Sequence, residues 1–404
     1  MIPFSPPRID QKIIDEVVAA LQSGWITTGP RTKKFEKKIA EYSGVQKVLC
    51  LNSATAGLEI MLRWFGVQEG DEVILPAYTY SATANVVIHC GAKPVLVDVN
   101  ANDFNISLQR IADAITPNTK VIMPVDIGGM PCDYDSIMNL AKGSSSLFKA
   151  ENEVQKKLGR ILVLCDTAHS IGAIYNDRKV GGDVDASVFS FHAVKNLTTG
   201  EGGAVCLNLP APFSNEEIYQ VLCIKSLHGQ NKDALAKMQK GSWEYDVVEA
   251  GYKWNMPDIL AAIGLVELER YDLETLPRRK EIFNQYIAHF SKKEWAQLPV
   301  FNNNNSESSY HLFLLRIKNI SEEQRNKIIQ LISDKDVSVN VHFKPLPLLS
   351  FYKSLGYKME DYPISYDNYA REISLPVYFN LSNDQVNFVS QVVVESVEKI
   401  LSGT

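Results

Sequence analysis

The stretch Ala186-Ser-Val-Phe-Ser-Phe-His-Ala-Val-Lys195-Asn-Leu-Thr-Thr-Gly-Glu-Gly-Gly-Ala-Val-Cys-Leu207 decides how this chain is read. A short apolar strand, Ala186 to Phe191, runs into one lysine. A Thr/Gly segment follows, and a second apolar run, Ala204 to Leu207, closes the unit. An ammonium is costly to bury, so a lone lysine in so apolar a setting should have its pKa pushed down. A neutral lysine amine is the group that forms Schiff bases with aldehydes. The plain alternative is a surface lysine in a hairpin loop.

A second segment upstream bears on that choice. Arg160-Ile-Leu-Val-Leu-Cys-Asp166 is an apolar, partly β-branched run ending in a carboxylate. It reads as a buried parallel strand. Ligand sites in open α/β sheets gather at the carboxyl ends of strands. Asp166 sits at such an end, followed by Thr167-Ala-His169. Pyridoxal phosphate chemistry needs a Schiff-base lysine and a carboxylate that keeps the pyridine nitrogen protonated. Lys195 and Asp166 supply both. Taken alone, Asp166 reads as a helix cap and His169 as a core histidine.

A third segment can hold a phosphate. The strand Val48 to Leu51 runs into Asn52-Ser-Ala-Thr-Ala-Gly57, and an amphipathic run follows, Leu58 to Phe65. Small residues at a strand-to-helix turn let backbone N–H groups approach an anion, and the helix N-terminus adds its dipole.

In this order and spacing the three segments resemble the fold-type I pyridoxal-phosphate aminotransferases, specifically the DegT/DnrJ-type sugar-nucleotide aminotransferases. The resemblance runs nearly end to end. Further matching segments are Ile2-Pro-Phe-Ser, Ser23 to Pro30, Gly70 to Pro76, Thr79 to Asn85, Gly251 to Asp258, Val341-His-Phe343 and Ser374-Leu-Pro376. The resemblance implies roles by position. Lys195 forms the Schiff base, Asp166 pairs with the pyridine nitrogen, and His169 lies near the cofactor's phenolic oxygen. Tyr80 stacks on the ring. Ala54, Thr55 and Ser190 contact the phosphate. Many relatives add an asparagine from a neighbouring subunit; here that position is Lys253, with Asn255 two residues on. A lysine neutralises a phosphate as a point charge. The implied partners are a nucleotide-sugar substrate, glutamate as amino donor, and a second copy of the chain in a homodimer with shared sites.

His192 in the lysine motif resembles the relatives that act on 4-keto sugars, which implies amination at carbon 4 of a 4-keto-6-deoxyhexose in aminosugar or surface glycan biosynthesis. Carbon 3 of a 3-keto nucleotide sugar is the alternative. A sugar dehydratase of the same fold tends to carry histidine in place of the lysine, so Lys195 argues against it. A non-catalytic regulator on this fold would leave the Lys195/Asp166/Ser190 set unexplained. Gly200-Glu-Gly-Gly203 is not a nicotinamide-binding fingerprint, because no G-x-G-x-x-G opens a helix there.

Composition agrees. The 404 residues allow two or three domains, and 45% hydrophobic with 22% charged residues is ordinary for a soluble globular protein. A net charge of −6 argues against a nucleic-acid-binding surface. Arg178, Lys179, Lys225 and His228 are the local candidates to attract an anionic nucleotide. The six cysteines show no C-x-x-C pair and read as reduced core residues of a cytoplasmic protein. No metal site is expected, a Cys165/Asp166/His169 cluster having no second group of ligands. The N-terminus lacks a signal pattern, and no apolar run approaches the ~20 residues of a membrane span.

Seven strands are expected, near Val48–Leu51, Glu72–Leu75, Pro94–Val99, Lys120–Val125, Ile161–Cys165, Ser187–Phe191 and Ala204–Leu207, with helical patterns between most of them. That is an α/β fold with a mostly parallel seven-stranded sheet between helices. The apolar run from Pro257 begins the passage to a smaller α+β domain, giving divisions at 1–265 and 266–404. Gly143 to Gly159 is polar and is expected on the surface.

Overall fold

The computed structural model describes residues 1–231 and 244–403. Seven strands build one sheet: β1 (Lys47–Leu51), β2 (Glu72–Pro76), β3 (Lys93–Val97), β4 (Thr119–Ile122), β5 (Leu162–Asp166), β6 (Ala186–Ser190) and β7 (Gly203–Leu207). Their order is β1-β7-β6-β5-β4-β2-β3. The pairs from β6 through to β3 are parallel, and β7 runs antiparallel to both β1 and β6. The sheet is mostly parallel, as the sequence predicts.

The strands are apolar throughout because both faces of the sheet are covered. Every residue of β5, β6 and β7 is buried. Side chains alternate between faces, so one strand serves two cores. Leu49 and Leu51 enter a core with helix Ala54–Phe65, while Val48 and Cys50 enter one with helix Pro30–Ser43. Each fully buried aliphatic side chain contributes roughly 1.5–3 kcal/mol. None of the six cysteines is in a disulfide, and four of them are buried.

A third core gathers Phe283, Phe313, Leu315, Ile373 and Val389, with Ile2 from the other end of the chain. Its small sheet is β8 (Ala296–Gln297), β9 (Phe313–Ile317) and β10 (Glu372–Leu375), all antiparallel. Helices Leu276–Phe290, Glu322–Ser333 and Asn383–Leu401 supply the rest of the core. No helix among the described residues is long and apolar enough to cross a membrane.

A long-range polar contact fixes the start of helix Pro30–Ser43. Asp258, fully buried, caps helix Pro30–Ser43. Its Oδ1 accepts from Gly29 N at 2.8 Å, Thr32 N at 2.9 Å and Thr32 Oγ1 at 2.7 Å. A carboxylate at that end also suits the helix dipole.

One expectation is corrected. Gly143 to Gly159 is not confined to the surface. Gln155, in the short helix Glu153–Leu158, is fully buried, and Phe148 packs against the main core. Gln155 Nε2 and Asn152 Nδ2 each donate to Phe65 O at 3.1 Å. The polar side chains point inward because a helix end leaves carbonyls that need donors.

Candidate active site

A cavity of about 350 Å³ opens at the carboxyl ends of β5 and β6 and at the turn that follows β1. Ala54, Thr55, Tyr80, Asp166, His169, Ser190 and Lys195 all line it. Sequence position scatters these residues over some 140 places, and the sheet order draws them together.

Lys195 lies in the connection between β6 and β7. Its backbone N donates to His192 O at 2.9 Å, Thr198 Oγ1 donates to Phe191 O at 3.1 Å, and Asn196 Nδ2 donates to Ser309 O at 2.8 Å. The loop is therefore tied to its own strand and to the C-terminal part of the chain. Burial pushes the Lys195 ammonium down to about 8, against the pull of the Asp166 carboxylate. The sequence predicts that direction.

Asp166 ends β5 and is buried. Its Oδ2 accepts from Thr83 Oγ1 at 2.9 Å and its Oδ1 from Ala168 N at 3.2 Å. Burial raises its pKa, and those two hydrogen bonds and Lys195 oppose the rise. A cation placed against this carboxylate would restore its charge.

The turn after β1 leads into helix Ala54–Phe65, whose N-cap Ser53 accepts from Ala56 N at 3.1 Å. The N–H groups of Ala54 and Thr55 precede any carbonyl of their own helix, so they are free to receive an anion. Gly203 makes the approach possible. A Cβ there would meet Ala54 N at 2.4 Å. Ser190 ends β6 beside this helix end, and its Oγ accepts from His192 N at 3.4 Å. Its own hydroxyl hydrogen remains to donate.

His169 Nδ1 accepts from Gly128 N at 3.2 Å. The neutral ring therefore carries its hydrogen on Nε2. Burial lowers its pKa well below the ordinary histidine range, with Lys195 adding to the effect. Its ring stacks on Phe343 at 5.7 Å between centroids, and Tyr80, 63% exposed, lies 6.0 Å from the same Phe343.

Lys253 and Asn255 do not line the cavity of their own chain. Lys253 Nζ donates to Asn255 Oδ1 at 2.7 Å, and Asn255 Nδ2 donates to Thr28 Oγ1 at 2.6 Å. Arg178, Lys179 and Lys225 also lie outside the wall, and each is paired with a carboxylate: Asp183, Asp272 and Glu249. His228 is exposed and outside the wall too. Residues 232–243 of the loop between Lys225 and Trp254 lie outside the described residues.

Further residues of the site were not singled out individually by the sequence. Thr83, in the matching segment Thr79 to Asn85, lies behind the wall, and its hydroxyl holds Asp166. His311 lies 4.5 Å from the His169 ring, with Nδ1 at 2.7 Å from Asn196 Oδ1. Phe4, His342, Phe343 and Leu375 also line the wall. Among the described residues no group of three His, Cys, Asp or Glu side chains could hold a metal ion.

A half-buried lysine with a lowered pKa, a buried carboxylate acting on it and a helix N-terminus able to take an anion, all on one cavity, define a pyridoxal-phosphate aminotransferase of fold-type I. The chain belongs to the DegT/DnrJ/EryC1/StrS aminotransferase family, whose profile matches residues 7–394. Spr1654 from Streptococcus pneumoniae, assigned as a sugar aminotransferase, superposes in its PMP-form with a TM-score of 0.96 at 45% identity. The match covers 99% of this chain and 100% of that one. The same protein in its PLP-form gives 0.94. PseC from Helicobacter pylori, an aminotransferase involved in the biosynthesis of pseudoaminic acid, gives 0.87 at 27% identity over 98% of this chain and 99% of that one. The spore coat polysaccharide biosynthesis protein SpsC of Bacillus subtilis is 36% identical over 100% of this chain and 97% of its own length. The enzyme is thus an aminotransferase of a sugar-modifying family, with pyridoxal phosphate as its cofactor.

Proposed function

We propose that the enzyme moves an amino group from glutamate to carbon 4 of a nucleotide-linked 4-keto-6-deoxyhexose. The observation that carries this reading is the convergence of Lys195, Asp166 and the Ala54/Thr55 helix end on one cavity. His192, at the cavity wall beside Lys195, supports carbon 4 over carbon 3.

When bound, the cofactor supplies an electron sink for proton transfer at the amino-bearing carbon. The chain's own residues do the rest. Lys195 would hold the cofactor covalently, and its Nζ, as a neutral amine, would move the proton at the amino-bearing carbon. Asp166, fixed by Thr83 and Ala168 N, keeps a proton on the ring nitrogen. Ala54, Thr55 and Ser190 hold the phosphate. His169 offers its Nε2–H to an oxygen in the cavity. Tyr80 covers a ring face and excludes water. Donor and acceptor use one site in turn, so the kinetics should be ping-pong.

Incubation with glutamate and separate panels of 4-keto and 3-keto nucleotide sugars tests the assignment, with the new C–N bond located by NMR. Amination at carbon 4 is expected, and the free ketosugar should react far more slowly than its nucleotide form. Amination at carbon 3 alone would refute the regiochemistry. Activity on simple keto acids but on no nucleotide sugar would refute the substrate class.

We further propose a two-fold homodimer with shared sites. Lys253 is exposed, and its carbonyl accepts from Asn52 Nδ2 at 3.4 Å, so the segment runs beside the anion end of the site without entering it. Such a segment can serve a neighbouring chain, and two-fold symmetry makes the contact reciprocal. Sedimentation should give a dimer, and a fully active monomer would be incompatible with this. The division at 1–265 and 266–404 is proposed on the separate apolar core of the C-terminal part.

A further inference from the structure

Behind the aromatic wall of the cavity three polar side chains run inward in single file. His342 lines the cavity, and its Nδ1 lies 2.8 Å from Ser374 Oγ. Ser374 is fully buried, and its Oγ lies 2.5 Å from Oε1 of Glu372, which is fully buried too. Both ends are anchored. Glu372 Oε2 accepts from His342 N at 3.0 Å, and Tyr78 OH donates to His342 O at 2.5 Å.

A hydroxyl donates and accepts at once, so this file has two complete hydrogen-bond arrangements. With Glu372 ionised, Ser374 donates to Oε1 and accepts from the Nδ1–H of His342, leaving a lone pair on Nε2. With Glu372 protonated on Oε1, the carboxyl donates to Ser374, Ser374 donates to Nδ1, and Nε2 carries the hydrogen. The two arrangements differ by one proton, and the imidazole is neutral in both.

We propose that Glu372, Ser374 and His342 form a relay that stores a proton at the buried carboxyl and delivers it to the cavity from His342 Nε2. On delivery the Nε2–H bond breaks toward an oxygen in the cavity. The Ser374 hydroxyl proton moves to Nδ1, the Glu372 proton moves to Ser374 Oγ, and a carboxylate remains. Uptake is the reverse. Amination of a ketone releases its oxygen as water, and that oxygen needs a proton that Lys195, engaged at the reacting carbon, need not supply. Glu372 and Ser374 are positioning residues acting through His342. The inference rests on the transamination reading above.

The groups facing Glu372 fit a proton store. Arg316 on β9 and Arg325 on helix Glu322–Ser333 act on it electrostatically, Tyr78 follows β2, and Lys195 faces His342 across the cavity. Burial pushes Glu372 up to about 8, against Ser374, the His342 N–H and both arginines. Burial pushes His342 down to about 3. The proton therefore rests on the carboxyl below about pH 8, not on the ring.

Nitrogen-15 NMR of histidine-labelled holoenzyme tests this directly, since the chain has 7 histidines and His342→Asn assigns the signal. The His342 ring should stay neutral while its hydrogen moves from Nε2 to Nδ1 as pH rises through about 8. Glu372→Gln should freeze the hydrogen on Nε2, Ser374→Ala should uncouple the ring from pH, and Ser374→Thr should keep the switch. Single-turnover reaction of the aminated enzyme with 2-oxoglutarate should slow by about 10²-fold in Ser374→Ala and recover in Ser374→Thr. One fixed tautomer in the wild type, or titration of the ring itself to the cation, would overturn the relay. A normal switch with no absorbance change on adding glutamate or 2-oxoglutarate would support the relay and count against the donor assignment.

Discussion

Lys195→Ala is expected to abolish transamination, with a loss of at least about 10⁴-fold, equivalent to about 5.5 kcal/mol of barrier. It is the one lysine among the described residues that line the cavity, so no second amine is at hand to form the Schiff base. Burial holds His169 and His311 neutral, and the Nδ1 of each is engaged, with Gly128 N and Asn196 Oδ1 respectively. In the wild type, borohydride treatment followed by peptide mapping should place the pyridoxyl group on Lys195. A label on another lysine, or full turnover in the variant, would overturn the assignment. The depressed pKa adds a pH signature. An amine attacks an aldehyde only when neutral, so cofactor capture by the free enzyme should accelerate as pH rises through about 8. An ordinary surface lysine would give that rise above pH 10.

Asp166→Asn should retain the cofactor and slow the glutamate half-reaction by about 10²-fold, or about 2.7 kcal/mol. The amide keeps the shape and the hydrogen bond with Thr83 but cannot carry the charge that holds a proton on the ring nitrogen. Stopped-flow absorbance of a single turnover measures the step apart from binding. Unchanged rates would reduce Asp166 to a strand-end cap. Thr83→Val makes a useful companion, because it removes one hydrogen bond to the carboxylate and leaves the charge. Its effect should be smaller than that of Asp166→Asn.

Much of the sheet was legible because its signals are local. The strands around Val163 and Val188 are apolar runs bounded by polar turns, and Asp166 and Lys195 stand at their ends. The direction of β7 was not legible from the run Ala204 to Leu207, since an apolar strand buried on both faces has the same composition either way round. Gln155 and Phe148 were misplaced for a different reason. Hydropathy scores a polar segment as exposed, yet the open carbonyl of Phe65 needed donors, and only the packed structure shows that need. His311 and His342 were missed as site residues because they arrive from the C-terminal part of the chain. Neither has a neighbour in sequence that carries the same chemistry. Lys253 and Asn255 show the opposite limit, since their placement by resemblance concerns a second chain.

The N-terminal segment does not belong to the part of the molecule it precedes. Ile2 pairs with Val337 and enters the C-terminal core, and Phe4 stacks on His342 at 5.4 Å. During synthesis those first residues leave the ribosome hundreds of residues before their partners exist. At roughly 5–20 residues per second the wait is tens of seconds. The large sheet can collapse in that time, but one side of the cavity stays open until the last third of the chain arrives. A newborn chain thus cannot close its catalytic chamber piecemeal, and tight cofactor retention should wait until synthesis has passed Val377, the last residue of the wall.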